Sequence, residues 1–364
     1  MSDDSASERP TPGRTKAGSS PLGGRAPKGT LGAKVPRRAV HGVLLLDKPL
    51  GLSSNDALMK AKRLYRAEKA GHTGTLDPLA TGLLPLCFGA ATKFSQIGLD
   101  ADKTYRATLQ LGVTTTTADA EGEVLQRALV HVTRAQFEAA CTPFRGDIAQ
   151  VPPMHSALKR DGKPLYAYAR AGIEVEREPR RVTIHRIDIT QTQHQGLPNG
   201  SNDAWTIDVR CSKGTYIRTL AEDIGRALGC GAHLVALRRT GSGPLTLDGA
   251  QTLESLAAMN EDQRDALLHD ADSLIADWPL VRLDDDDAGR FLSGVRRQVP
   301  LPNAPRVRVY GPQAKAFLGS GHITAGELIS TRLLSPLEVK GLLSPLGNAL
   351  VNTPDTNAIE KAAP

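Results

Sequence analysis

One carboxylate stands in a glycine- and proline-rich run, Gly71-His72-Thr73-Gly74-Thr75-Leu76-Asp77-Pro78-Leu79-Ala80-Thr81-Gly82. Gly71, Gly74 and Gly82 permit backbone angles closed to other residues, and Pro78 fixes φ just after the acid while biasing Asp77 away from helix. Such a loop costs stability if it only connects two elements, whereas a catalytic carboxylate has to be held to a fraction of an ångström. A plain turn accounts for the same residues, since Asp before Pro with flanking Gly is ordinary turn chemistry. A lone ionised Asp can act as a nucleophile with no cofactor. In a closed pocket it needs a positive neighbour, because desolvation disfavours its charge.

The segment Cys211-Ser212-Lys213-Gly214-Thr215-Tyr216-Ile217-Arg218-Thr219 offers that neighbour. Arg218 is suited to a bidentate pair with Asp77; the alternative is a solvated helix arginine. Tyr105 sits on an alternating strand, as a core residue or as an aromatic face on which an unstacked base could lie. His72 reads equally as a hydrogen-bonded structural histidine. The chain has no second carboxylate at catalytic spacing, no HExxH, no glycine-rich phosphate loop and no Gly-x-Ser-x-Gly. Hydrolase and nucleotide-dependent readings therefore lack support. Cys87, Cys141, Cys211 and Cys230 are widely spaced, which argues against a zinc site or a disulfide framework. No metal and no cofactor are expected.

The elements that must position these residues follow from periodicity. Gly42 to Lys48 is a buried strand closed by a Pro-Leu-Gly turn. Ser53 or Ser54 caps a helix with Ala57, Leu58, Ala61, Leu64 and Tyr65 on one face, leading into the Asp77 loop. Leu83 to Phe88 and Lys103 to Val113 read as strands, and Thr133 to Phe144 as a helix with a Thr133/Gln136 capping box. Leu165 to Gly172 looks helical. Val182 to Ile189 and Trp205 to Cys211 alternate as strands joined by a hairpin loop over His194 to Asp203. Thr219 to Leu228 is a helix closed by Gly229. Strands and helices alternate without a regular βαβ beat, predicting an α+β fold: a mixed, mainly antiparallel sheet with helices and loops on its faces.

The 364-residue chain is long enough for about two domains. Residues 1–40 hold eight Lys/Arg against three acids and almost no large apolar side chains, predicting a disordered basic tail. The formal net charge of +6 is thus mostly the tail's, because the remaining residues carry 37 basic and 36 acidic groups. Any nucleic-acid surface on the folded part must be a local patch. Domain boundaries are expected at 41–275 and 276–351, with a polar tail at 352–364. In the second domain Asp284 to Asp287 are an improbable phosphate surface, which turns attention to Arg296, Arg297, Arg306 and Arg308. No apolar run suits a membrane span or a secretion signal, so the protein is expected in the cytoplasm, as a monomer.

Five blocks in order, Gly42-Val-Leu-Leu-Leu-Asp-Lys-Pro49, Gly71 to Gly82, Asp102-Lys-Thr-Tyr-Arg106, Ser156-Ala-Leu-Lys159 and Ser212-Lys-Gly-Thr-Tyr-Ile-Arg218, resemble the TruB family of bacterial tRNA pseudouridine-55 synthases. The resemblance is strong over about residues 41 to 260 and looser beyond. It implies the pseudouridine synthase fold with a small β-rich PUA-like C-terminal domain that binds RNA, and tRNA, through its T-arm, as partner. Asp77 would be the catalytic aspartate that detaches a flipped uracil and lets it rejoin through C5. Tyr105 would stack on the base and assist proton removal at C5, and Arg218 would pair with Asp77. Tyr216 and Leu237 would line the uridine pocket. His72 would pack against nucleotides displaced by flipping, and Lys48 would support the site wall or a phosphate. His155 departs from the Tyr of many relatives. A tRNA-folding chaperone and a glycosidase-like hydrolase are the competing readings, the second disfavoured for want of a second carboxylate.

Overall fold

The computed structural model describes residues 36–190, 203–312 and 316–343. The apolar run after His41 forms strand β1 (Gly42–Lys48), with every residue but Asp47 buried. Its run Val43 to Leu46 is apolar without alternation because both faces are covered. Leu44 and Leu46 join a core shared with the first helix, while Val43 and Leu45 join a second core that includes Leu274, Val281, Phe291 and Val307. Ser53 caps α1 (Ser54–Leu64) by accepting from the Asp56 N–H.

Beyond the Asp77 loop come β2 (Ala80–Phe88) and β3 (Lys103–Leu111). The Thr133/Gln136 capping box opens α2 (Arg134–Cys141) as the spacing predicts. The strands β4 (Gly146–Gln150), β5 (Arg180–Thr190) and β6 (Ala204–Cys211) precede α3 (Ile217–Ala227) and β7 (Ala232–Ser242). Their sheet runs β1-β2-β7-β3-β6-β5-β4, with short strands Ala70–His72 and Leu245–Thr246 added to β2 and β7. In this sheet β2 and β7 pair parallel, and the other pairs are antiparallel. This is the mixed, mainly antiparallel α+β fold that the sequence predicts.

Two elements differ from the sequence reading. Residues 232–242, read only as a pocket-lining block, form a strand in the middle of the sheet. Its ladder with β3 shifts register between Leu234 and Ala236 and again between Arg239 and Gly241, which breaks the two-residue alternation. Order also begins before Gly42. Arg38 pairs with Asp265 and donates to the Tyr65 carbonyl at 3.0 Å, and Val40 is buried in the core. Composition missed this because one ion pair and one valine carry it. The rest of the basic tail, most of the His194 to Asp203 loop and the C-terminal tail lie outside the described residues.

A second sheet follows, built from β8 (Leu280–Arg282), β9 (Arg297–Gln298), β10 (Ala304–Tyr310), β11 (Phe317–Thr324) and β12 (Glu327–Leu333) in the order β8-β10-β11-β12-β9. The acidic run has a local purpose. Asp284 caps α4 (Asp285–Leu292) by accepting from the Asp287 N–H at 2.8 Å, and the other carboxylates face the positive end of the helix dipole. Arg308 is buried against Asp272 at 3.1 Å, while Arg297 pairs with Asp287 and Arg296 with Glu327. Arg308 therefore leaves the set of basic residues that could meet RNA. Among the described residues no helix is long and apolar enough to cross a membrane.

Candidate active site

The Asp77 loop runs from the short strand Ala70–His72 into β2 and is fastened on both sides of the acid. The buried Ser54 hydroxyl accepts from the Leu76 N–H at 2.7 Å and donates to the Leu76 carbonyl at 3.1 Å. Past the acid, Pro78 O accepts from Gly51 N–H at 2.8 Å, and Asp77 O accepts from Ala80 N–H at 3.0 Å. Of the three glycines, Gly74 and Gly82 hold positive φ, at +140° and +98°. A Cβ on Gly82 would lie 2.3 Å from the Arg239 carbonyl oxygen. Gly71 needs no such angle and faces open space, so its part in shaping the loop is smaller than the sequence suggests.

Arg218, in the first turn of α3, reaches across to this loop. Its Nη2 lies 2.8 Å from Asp77 Oδ2, with the Asp77 side chain 41% exposed and the arginine only 5%. The bidentate geometry expected from sequence is not formed, because the remaining donors are engaged elsewhere. Nη2 also donates to the His155 carbonyl at 2.7 Å, Nη1 to the Thr117 carbonyl at 3.2 Å, and Nε lies 3.5 Å from Asp119 Oδ2. Asp119 is 4% exposed and accepts from Thr117 Oγ1 and the Glu121 N–H. Sequence reasoning missed Asp119. Its loop carries no pattern, and only the fold sets it beside an arginine 99 residues further on.

The remaining candidates gather around the same acid. Tyr105 on β3 is nearly buried and stands opposite Arg239 of β7. Burial pushes its hydroxyl pKa up, Arg239 pulls it down, and the Asp77 charge reaches it. Tyr216 precedes α3, its backbone N–H and C=O held by the Gln150 side chain at 2.8 and 3.0 Å. Burial pushes its hydroxyl pKa up, and it also feels the Asp77 charge. Leu237 pairs with Ala80 across the parallel β2–β7 contact and with Ala107 on β3, which puts it on the floor beside the loop. His72 is half-buried on the loop's entry strand, and burial lowers its pKa. Lys48 is fully buried, with its ammonium donating to the Pro49 and Leu52 carbonyls at 2.9 and 2.7 Å. A buried ammonium bonded to two carbonyls favours the wall over the phosphate among its two expected roles.

The fold also brings two carboxylates near Asp77 that sequence spacing did not reveal. Glu121 is exposed; its pKa is raised by partial burial and then by Asp119 and Asp77. Asp119 is committed to Arg218. Among the described residues no group of three His, Cys, Asp or Glu is placed to hold a metal ion. The site thus presents the half-exposed Asp77 carboxylate paired with a buried guanidinium, beside Tyr105, Tyr216 and Leu237, with the exposed Glu121 nearby.

Comparison with known proteins shows the lineage. The description "TruB family pseudouridylate synthase (N terminal domain)" matches residues 62–217, and "tRNA pseudouridylate synthase B C-terminal domain" matches residues 218–276. "Pseudouridine synthase II TruB, C-terminal" matches residues 279–334. The "tRNA pseudouridine synthase B" of Ralstonia nicotianae is 62% identical over 307 residues, covering 83% of this chain and 96% of that protein. Its namesake in Ralstonia pickettii is 65% identical over 280 residues, covering 76% and 87%. The chain belongs to the TruB pseudouridylate synthase family. Among solved structures, a Cbf5-Nop10-Gar1 complex aligns with a TM-score of 0.62 at 23% identity, over 82% of this chain and 86% of that one. An H/ACA RNP bound to a substrate RNA containing 2'-deoxyuridine gives 0.61 at 22% identity, over 81% and 86%. These two establish the shared fold. On the TruB frame, Asp77 and Arg218 fall on either side of the boundary between the first two matched segments. The site is thus closed by contact between them.

Proposed function

We propose that this TruB-family chain isomerises uridine to pseudouridine in the T-arm of tRNA. The target base is extruded into the Asp77 pocket. The observation that carries this reading is the 2.8 Å Arg218–Asp77 pair with Asp77 open to solvent on its other side. The C1′–N1 bond breaks, a C1′–C5 bond forms, the C5 hydrogen leaves as a proton and N1 gains one. Nothing is consumed, so the reaction needs only a nucleophile, a proton acceptor and a dry slot.

Asp77 supplies the nucleophile and Tyr105 the stacking face near C5. Tyr216 and Leu237 enclose the ring, and His72 packs against the displaced nucleotides. Extrusion costs a few kcal/mol, which stacking and backbone contacts offset. Lys159, Arg160 and Lys163 are exposed on the segment whose His155 carbonyl holds Arg218, and they meet the phosphates of the arm.

The test is an unmodified tRNA transcript carrying tritium at uridine C5, incubated with the protein alone. Tritium release together with one pseudouridine mapped in the T-arm is expected. Free uracil in the supernatant would instead mark a hydrolase using Glu121 as second carboxylate. Faster tRNA refolding with no new nucleoside would mark a chaperone only.

A further inference from the structure

Arg239 is the largest of the fully buried side chains, 1% exposed on the central strand β7. It forms no ion pair among the described residues. The ammonium groups of Lys48 and Lys103 lie near enough to repel it, and burial lowers its pKa, with Tyr105 as the neighbour that offsets part of the cost. Nε donates to the Leu83 carbonyl at 2.7 Å, while Nη2 has no hydrogen-bond partner. A buried guanidinium without a carboxylate costs several kcal/mol, and an apolar residue of the same length would pack at less cost. What it touches explains its presence. Its backbone stands opposite Gly82, Nη1 lies 3.2 Å from where a Cβ on Gly74 would be, and its ladder partner on β3 is Tyr105.

We infer that Arg239 is a positioning residue for the isomerisation: from beneath the Asp77 loop it fixes both of the loop's ends and aims the Tyr105 hydroxyl at the reacting base. This rests on the proposed role of Tyr105. Leu83 follows Asp77 and Gly74 precedes it, so one guanidinium reaches both flanks of the loop that carries the nucleophile, Nε bonded to the Leu83 carbonyl and Nη1 packed against Gly74, while Gly82 lies on the Arg239 backbone. Tyr105 is the cross-strand partner of Arg239, and the guanidinium charge pulls the Tyr105 hydroxyl pKa down against the larger upward push of burial. A cation there favours the phenolate, the form able to take the C5 proton. Tyr105 would pass that proton on to solvent as the product leaves. Lysine cannot serve both ends, because a single ammonium lacks the fork.

A double-mutant cycle tests the inference. Arg239→Met and Arg239→Lys are made in the wild-type and Tyr105→Phe backgrounds, and single-turnover tritium release is followed with each variant's melting temperature. In the wild-type background we expect a loss of about 100-fold for Arg239→Met and about 10-fold for Arg239→Lys. Loss of the cation raises the Tyr105 hydroxyl pKa and so moves the ascending limb of the rate profile, where the phenolate forms, to higher pH. In the Tyr105→Phe background either change should cost less than about 3-fold, because its partner is already gone. Equal fold losses in both backgrounds would overturn the inference and leave Arg239 a structural residue. If Arg239→Met does not fold, the Arg239→Lys cycle decides by the same criterion. Wild-type turnover by Tyr105→Phe itself would instead sink the role given to Tyr105, a result distinct from additivity.

Discussion

Asp119→Asn separates what holds Arg218 from what Arg218 holds. The substitution keeps the shape and removes a charge 3.5 Å from Arg218 Nε, where both side chains are about 95% buried. At an effective dielectric of about 20, that contact is worth about 5 kcal/mol before desolvation is counted. Removing one charge from a buried pair nets about 3 kcal/mol, because part of the guanidinium's desolvation cost is no longer offset even though Asp77 still holds Nη2 at 2.8 Å. The Asn oxygen can still accept from Thr117 and Glu121, which limits the damage to the charge. At about 2.1 cal/mol/K per residue over a folded part of this size, the melting temperature should fall by roughly 5–6 °C. Asp77→Asn should behave in the opposite way. Asp77 is 41% exposed, so its contact is solvent-screened, and Arg218 keeps Asp119 and two carbonyls. Its melting point should stay within about 2 °C of wild type while turnover falls by at least about 10⁴-fold, the loss of the nucleophile. Asp119→Asn should retain turnover, lowered about 10- to 100-fold in kcat with KM for tRNA unchanged, because a tilted Arg218 displaces Asp77 slightly. Scanning fluorimetry and single-turnover tritium release give both numbers. The reasoning fails if Asp77→Asn melts as low as Asp119→Asn, or if Asp119→Asn melts within a degree of wild type.

Three further outcomes follow from the same coordinates. Burial pushes the Lys48 ammonium down to about 8 from its ordinary 10.5. A lowered lysine pKa means that the unfolded chain holds the proton more tightly, so wild type should gain stability over Lys48→Met as pH rises from about 8 to 10.5, by up to about 3 kcal/mol; urea titrations showing a pH-independent difference would contradict this. Gly82→Ala should abolish soluble folded protein, since its Cβ would fall 2.3 Å from the Arg239 carbonyl, whereas Gly71→Ala, facing open space, should change the melting point by less than about 1 °C. Glu121→Gln should leave the product as pseudouridine with no free uracil and keep kcat within about 10-fold of wild type; uracil release that vanishes in this variant would favour the hydrolase.

The parts of the fold that could be read from sequence are those in which one local signal decides the element. The Ser53 cap and the Thr133/Gln136 box rest on contacts within a few residues, and the unbroken apolar run Val43 to Leu46 marks β1 by itself; each forms where the spacing puts it. What was hidden depends on partners far away. Strand β7 is interrupted by two bulges, so its alternation is lost, although it is the strand that joins the parallel and antiparallel halves of the sheet. Asp119 and Arg239 look like surface residues in the sequence, because a charged residue is normally solvated and nothing nearby marks them as buried. Their burial is decided by β7 and α3 folding over the Asp77 loop.

The parallel β2–β7 pair explains why the site could be named in part and not drawn. A loop that enters a strand beside a parallel neighbour is flanked by side chains from a segment remote in sequence, here Leu237 and Arg239 against Ala80 and Gly82. A hairpin would have placed sequence neighbours there. The glycines at 74 and 82 therefore serve a long-range need: Gly74 lets the loop lie close to the Arg239 guanidinium, and Gly82 lets β2 lie close to the Arg239 backbone. The Asp77 loop thus lies between two arginines, Arg218 paired with its carboxylate and Arg239 packed against its flanks. Only the first touches the acid, so exchanging Arg218 should change the chemistry at Asp77 directly, whereas exchanging Arg239 should reach it only through Tyr105 and the loop.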